Sequence, residues 1–291
     1  MGKRAKLRWG VERRLEFIEF RLFWEGAINR SDLIEYFGVS VPQASKDLSL
    51  YQERAAGNME YHKSEKRYIV ARGFKPCFQK PDADQYLSQL RSVAEHLIDE
   101  DETWISNLPT LDCMPIPHRQ VKPAVLRSLL AAMRVQSSIE IHYQSMNPKR
   151  PEPVWRCITP HAFGHDGFRW HVRAFCHIDN KFKDFLISRC FDTKNSEEAP
   201  ANRADDRCWY ERIDVTLVPN PKLSPAQQEV IASDYAMERM QLHLSLRKAL
   251  LYYFQKRLRL DVADALDGPH EMPVVIANKV EFNRALTEAM A

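Results

Sequence analysis

At residue 138 the spacing of the apolar residues changes, and that change restricts the chain to a mixed architecture. Upstream, apolar side chains recur three or four apart, the mark of helices with one buried stripe. Downstream, SIEIHYQS alternates Ile139, Ile141, Tyr143 and Ser145 on one face. WRCITPHAF, FRWHVRAFCHI and FKDFLISRC follow as further strands, separated by glycine, asparagine and aspartate turns. Several short strands at close spacing predict a small barrel or a strongly bent sheet. The last part mixes both rhythms. ERIDVTLVPNP reads as a strand, SPAQQEVIASDY as a helix, MQLHLSL as a strand and RKALLYYFQKRL as an amphipathic helix through Leu250, Phe254 and Leu258. The fold class expected is α+β.

The helical part opens on residues 7–25, with Leu7, Val11, Leu15, Ile18 and Leu22 as the inward stripe. In NRSDLIEYF, Asn29 is the expected N-cap with Asp32 three residues on, and Ile28 and Leu33 are spaced for a hydrophobic staple. Gly38 stops that second helix. A third follows, with Ser40 and Gln43 as an S-x-x-Q capping box and Pro42 in the first turn, where its missing N–H costs little. Ala44, Leu48, Tyr51 and Ala55 face inward, which leaves Pro42, Gln43, Ser45, Lys46 and Ser49 outside.

Two short helices joined by GVS have the spacing of a helix-turn-helix, whose second helix enters the major groove N-terminus first. NMEYHKSEKRYIV then reads as strand, turn and strand, a wing tipped by Lys63, Lys66 and Arg67 and suited to phosphates. Charge agrees with a nucleic-acid contact at this end. Residues 1–75 hold 15 Lys+Arg against 10 Asp+Glu, whereas residues 76–110 hold two against seven. The competing reading is a three-helix domain that docks protein and not DNA. If Gln43 closes its capping box, it is less free to reach a base edge.

Prolines and a glycine in GFKPCFQKP, residues 73–81, place a first linker there, and residues 82–105 read as helix through Tyr86, Leu90, Val93 and Leu97. DTKNSEEAPANRADD, residues 192–206, lacks large apolar residues and reads as a second linker. The expected domains are therefore a winged helix over 1–75, a helical linker region over 76–136, a barrel over 137–191 and a C-terminal domain over 207–291.

No apolar run approaches the roughly 20 residues of a membrane helix. The start, MGKRAKLRWGVERR, is basic without the apolar stretch of a secretory signal. Six scattered cysteines with no C-x-x-C fit reduced thiols, so a cytoplasmic location with no membrane partner is expected.

FRWHVRAF, preceded by TPHAFGHDG and followed by FKDFLISR, resembles the WYL domain, a small Sm-like β-barrel named for a Trp-Tyr-Leu strand. Here the triplet is Trp170-His171-Val172, a departure at two positions. The RWHVRA form, with the VPNPKLSPAQQ stretch, is similar to the BrxR and CapW regulators found beside bacterial phage-defence systems. The resemblance spans nearly the whole chain. It implies a winged helix-turn-helix, a WYL barrel and a C-terminal dimerisation domain. It further implies a homodimeric transcription regulator, a repressor by default, that binds double-stranded DNA at an inverted-repeat operator. A nucleic-acid fragment or nucleotide would be the effector.

The charges suggest where such an effector would sit. Arg169, His171 and Arg173 share one strand face, with Arg189 expected on a neighbouring strand and His161 in the loop before the 168–175 strand. Tyr143 and Ser145 add a ring and a hydroxyl. Arginine matches phosphate bidentately, and rings beside cations stack unpaired bases. The alternative is that Arg169 and Arg173 pair with Glu140, Asp184 or other carboxylates and hold the barrel together.

Enzyme chemistry finds little support. There is no G-x-x-x-x-G-K-[ST] loop, no G-x-S-x-G elbow and no H-E-x-x-H. His161 and His165 lie near Cys157 and Cys176, but strand alternation puts His171 and Cys176 on opposite faces, which disfavours zinc. No catalytic residue, metal or cofactor is expected. A nuclease, a nucleotide hydrolase or an adaptor that binds no DNA stand as the alternatives.

Overall fold

A computed structural model of the chain describes residues 8–262 and 268–290. The chain divides into two compact units after Pro115.

The first unit is built on α1 (Trp9–Glu25). Leu15, Ile18 and Leu22 are buried as expected and Val11 packs beside them, while Leu7 lies outside the described residues. Phe17, Glu19 and Phe20 are buried too. A stripe alone does not describe this helix, because it is covered on more than one side. Gly26 ends it at φ 78°, a left-handed turn that glycine adopts without strain. β1 (Ala27–Ile28) follows, then α2 (Arg30–Phe37) and α3 (Val41–Arg54). The Asn29–Asp32 capping box forms, and Ala44, Leu48, Tyr51 and Ala55 are all buried.

β2 (Met59–His62) and β3 (Arg67–Val70) make the antiparallel wing. β1 pairs with β3 to complete a three-stranded sheet in the order β1-β3-β2. A two-residue strand has no period to read, so β1 left no trace in the sequence.

The expected linker region does not stand apart from its neighbours. Residues 73–81 fold back onto the winged helix, where the buried Glu19 carboxylate accepts hydrogen bonds from the Cys77, Phe78 and Gln79 amides at 2.8–2.9 Å and from the Tyr51 hydroxyl at 3.1 Å. α4 (Ala83–Ala94) is shorter than the helix expected over 82–105, and Leu97 is exposed. Leu90, Trp104 and Ile105 join the winged-helix core. The acidic run carries a short 3-10 turn whose residues stay in solvent.

The second unit starts with α5 (Pro123–Val135), which buries Val125, Leu129 and Ala132 in the core of a five-stranded antiparallel sheet. Its strands are β4 (Ile139–Tyr143), β5 (Val154–His165), β6 (Trp170–Cys176), β7 (Lys181–Leu186) and β8 (Cys190–Asn195), in the order β7-β6-β5-β4-β8. Register shifts near Pro160 and His142 mark bulges, which bend a strand locally. β8 occupies the start of what reads as a linker in the sequence.

The C-terminal part holds α6 (Arg207–Tyr210), β9 (Arg212–Pro219), α7 (Pro225–Asp234), β10 (Leu242–Arg247) and α8 (Leu251–Arg257). The expected strand-helix-strand-helix order is present. β11 (Val274–Ile276) adds to β9, giving the order β10-β9-β11, and α9 (Lys279–Met290) buries Phe282, Ala285 and Leu286 against it. Both were missed, β11 because three residues carry too short an alternation.

Candidate nucleic-acid interface and effector face

α3 presents the residues expected of a recognition helix, though not all as free groups. Ser40, Pro42, Lys46 and Ser49 are exposed, and Gln43 and Ser45 are half-buried. The Ser40 hydroxyl accepts from the Gln43 amide N–H at 3.4 Å. The reciprocal half of the expected capping box does not form, because the Gln43 side chain turns along the helix and donates to Asp47 Oδ1 at 2.9 Å. Asp47 is 1% exposed, and Arg14 of α1 donates to it through Nε at 2.6 Å and Nη2 at 3.3 Å. The Ser45 hydroxyl donates to the Val41 carbonyl and accepts from Arg30 at the start of α2.

Lys63 and Lys66 stand exposed at the tip of the wing, with Lys66 in the left-handed region at φ 54°. Arg67 is exposed but donates to Glu65 at 2.6 Å, so part of its charge is answered locally. Arg14, Arg30 and Asp47 were missed from the sequence. Only Asp47 left a signal, as the helical neighbour four residues after Gln43.

The cationic face of β6 departs from expectation. An open effector face would need residues 169, 171 and 173 accessible, yet His171 and Arg173 are 7% and 8% exposed, and Val172 and Ala174 on the other face are fully buried. Both faces of the middle of this strand are therefore covered. Arg173 donates to Asp206 from Nε at 2.7 Å and from Nη2 at 2.9 Å, and to Asp184 from Nη1 at 3.3 Å. His161, expected in a loop, lies within β5 at its bulge, where the irregular pairing hid the strand, and its Nε2 is 2.8 Å from the same Asp206. Two residues back along the same face of β6, His171 Nε2 lies 3.0 Å from Asp166 in the β5–β6 turn, which also accepts from Arg169 Nε at 2.8 Å and caps the turn through the Phe168 and Arg169 amides. Tyr253 of α8 packs its ring on His171 and donates to Asp184 at 3.1 Å.

These contacts shift the ionisation of the seam. Burial opposes charge on Asp206, but the bonds from Arg173 and His161 outweigh it and hold the carboxyl down to about 2. Burial likewise opposes the Arg173 charge, and the bonds and charges of Asp206 and Asp184 overcome it and raise its pKa above the usual arginine value. Asp166 is held below the carboxylate range by the same balance, with burial opposed by His171, the Phe168 amide and Arg169. Burial, then the Asp184 charge, pushes the Tyr253 hydroxyl up.

The remaining expected contacts point elsewhere. Tyr143 is a core ring, packed edge-on against Phe185, and its hydroxyl accepts from the Leu186 amide. Ser145 lies beyond the end of β4 and accepts from the Asn147 amide, and Arg189 is half-buried in a 3-10 turn. The structure thus joins Arg169 with His171 and Arg173 with His161, each pair across one carboxylate. Asp206 sits in the predicted second linker, where charge and short side chains concealed a buried residue.

Family models match three stretches of the chain. They are a BrxR transcriptional regulator winged helix-turn-helix domain over residues 10–92, a WYL domain over 124–193 and a BrxR C-terminal dimerization domain over 212–282. A DNA-binding transcriptional repressor CapW of Stenotrophomonas maltophilia is 37% identical over 98% of this chain and 95% of its own length. Proteins of that description from Escherichia coli (strain KTE188) and Pseudomonas aeruginosa are each 36% identical, over 98% and 96% of this chain and 95% and 93% of their own. The chain belongs to the CapW family.

The three matched stretches of this CapW-family chain follow the observed elements. The winged-helix match runs past the wing into α4, in agreement with the packing of that helix on the first core. The WYL match begins at α5, and the C-terminal match begins with β9. The regulator expected from the sequence accords with what the CapW relatives are called, none of which is an enzyme name. Among solved structures, proteasome accessory factor B/C (PafBC) of Arthrobacter aurescens is 14% identical, covering 100% of this chain and 51% of that one. Its TM-score of 0.26 supports no inference. No described helix is long and apolar enough to cross a membrane.

Proposed function

We propose that the chain is a DNA-binding transcriptional repressor that acts as a homodimer on an inverted-repeat operator. α3 would lie in the major groove of each half-site and the β2–β3 wing on the backbone beside it. The observation that carries this reading is the polar, half-open outer side of α3, with Ser40, Pro42, Gln43, Ser45, Lys46 and Ser49, in one small domain with the exposed Lys63 and Lys66. Lys46, Lys63, Lys66 and Arg67 supply the phosphate contacts that fix register, and the helix start supplies base contacts. The names of the 36–37% identical relatives support the same reading.

An anionic effector, a nucleic-acid fragment or nucleotide, relieves repression through the WYL domain. Because Asp206 and Asp184 already fill Arg173, and Asp166 holds His171, a phosphate reaches those two buried groups only by exchange with a carboxylate, whereas Arg169 gives only its Nε to Asp166 and stays partly open. Exchange at Asp206 also removes the cap it provides to the Trp209 amide at the start of α6. Effector binding and the mounting of the C-terminal fold are linked in that way, and the effector shifts the population by its differential affinity for the two states. Tyr143, Ser145 and Arg189 would meet the effector only in a rearranged state. The genes controlled are those of a phage-defence operon, as the similarity of the RWHVRA strand to BrxR and CapW regulators implies.

A gel shift with the duplex upstream of the chain's own gene, with and without a phosphorylated oligonucleotide, tests the reading. Binding to that duplex in preference to a scrambled one, released by oligonucleotide, is the expected result. Turnover of the oligonucleotide would favour an enzyme, and failure to bind either would favour an adaptor.

A further inference from the structure

A glutamine amide has two ends of similar shape and opposite hydrogen-bonding sense. Free to rotate, it offers a donor and an acceptor in either order. Gln43 is not free in this way. Its Nε2 donates to Asp47 Oδ1, and Asp47 is gripped from its other side by the Arg14 guanidinium, so it offers acceptors alone. Turning the amide over would set its carbonyl oxygen against that carboxylate. The arrangement therefore fixes which end faces inward.

We propose that Gln43 reads an adenine in each half-site, and that Asp47 is the positioning residue that sets it to do so. The inference rests on the placement of α3 in the major groove given above. Gln43 is the third residue of the helix, within the turn that meets base edges in helix-turn-helix complexes. In this reading Asp47 takes the N–H trans to Oε1, which leaves the cis N–H and Oε1 side by side, and Oε1 has no partner among the described residues. Adenine shows the complementary pair in the major groove, the N7 acceptor next to the N6 donor. Guanine shows two acceptors and would leave Oε1 facing one of them. Cytosine and thymine each offer a single matching group. Asp47 cannot read a base itself, being 1% exposed and turned to α1.

Selection of duplexes from a randomised pool by the full-length chain, followed by competition binding, tests the proposal. The wild-type chain should enrich an A·T pair at one position of each half-site. Gln43→Ala should lower discrimination at that position by about 5- to 100-fold while the preferences at other positions persist. Asp47→Asn offers either a donor or an acceptor to Gln43, so it should weaken the same single preference with affinity for non-specific duplex unchanged. A role confined to tying α1 to α3 would not change one base position selectively. Should Asp47→Asn loosen the fold, Gln43→Ala decides alone, because that side chain is half-exposed. An unchanged profile in Gln43→Ala, or control of a position that is not A·T, overturns the inference and leaves the operator reading intact. If the wild-type chain enriches no sequence, both fall together.

Discussion

Arg173 on β6 and Asp206 ahead of α6 form a two-point ion pair inside the second unit, with nitrogen–oxygen distances of 2.7 and 2.9 Å. Asp206 is 1% exposed and Arg173 is 8% exposed. The guanidinium that the sequence marks as an effector contact is already satisfied by a carboxylate from the segment between the WYL sheet and β9. The WYL sheet and the C-terminal fold are thereby tied through a charge that neither could leave unpaired.

Arg173→Ala should destabilise the second unit by about 3–5 kcal/mol, the usual cost of removing one partner of a buried pair and stranding the other. Here the stranded groups are Asp206 and Asp184. The thermal midpoint of the variant, followed by circular dichroism, should fall by several degrees. A midpoint equal to wild type would show that the pair adds nothing to stability.

Acid should weaken the same seam. The Asp206 carboxyl is depressed from 3.8 to about 2, so its ionised form is favoured by folding. Such a group contributes stability that is fully present above the unfolded value near 4 and is lost as pH falls through about 2. The contribution is about 2 kcal/mol. Asp166 is lowered too, as is Asp179 outside the seam, where Arg150 and Lys183 donate to it, so the whole loss exceeds that of one group. Denaturant midpoints measured from pH 6 to pH 2 should show a shallower decline in Asp206→Asn than in wild type, and parallel curves would refute the assignment.

Glu19→Gln should loosen the segment after the wing. The carboxylate accepts from three consecutive amides, at residues 77–79, and from Tyr51 of α3. An amide there turns an N–H toward those donors, and each buried donor left unmade costs about 1–3 kcal/mol. Hydrogen exchange at Cys77, Phe78 and Gln79 should quicken at least tenfold. Unchanged protection would mean that the turn holds itself.

Lys46→Ala, and Lys63→Ala with Lys66→Ala, should weaken operator binding without change of fold, since all three side chains are exposed. Each phosphate contact removed should reduce the slope of log affinity against log salt by about 0.9. Anisotropy titrations between about 50 and 200 mM salt, a span over which 6–10 phosphate contacts cost about 10³–10⁵ in affinity, measure that slope. Equal slopes for all variants would place the phosphate contacts elsewhere.

Much of the frame was legible because local rules act within a few residues. The Asn29 cap, the Gly38 stop and the Ala44–Leu48–Tyr51–Ala55 stripe each depend on neighbours no more than four apart, and each stands as expected. Elements of two or three residues, β1 and β11, have too little length to show a period. The seam was hidden for another reason. Alternation told correctly that Arg169, His171 and Arg173 share a face, but not what covers it. Asp166, Asp206 and Tyr253 arrive from separate places in the chain, and spacing carries no record of such meetings. Gln43 shows the same limit at short range, because two rules competed for one side chain. Its bond to Asp47 prevailed over the capping box once Arg14 held that carboxylate in place.

The most direct measurement is a footprint of the full-length chain on the duplex upstream of its own gene. Two protected blocks related by inverted symmetry, with centres about ten base pairs or a multiple of that apart, are the result predicted for a dimer with α3 in successive major grooves. Protection that is absent, or that follows no sequence, would contradict the account.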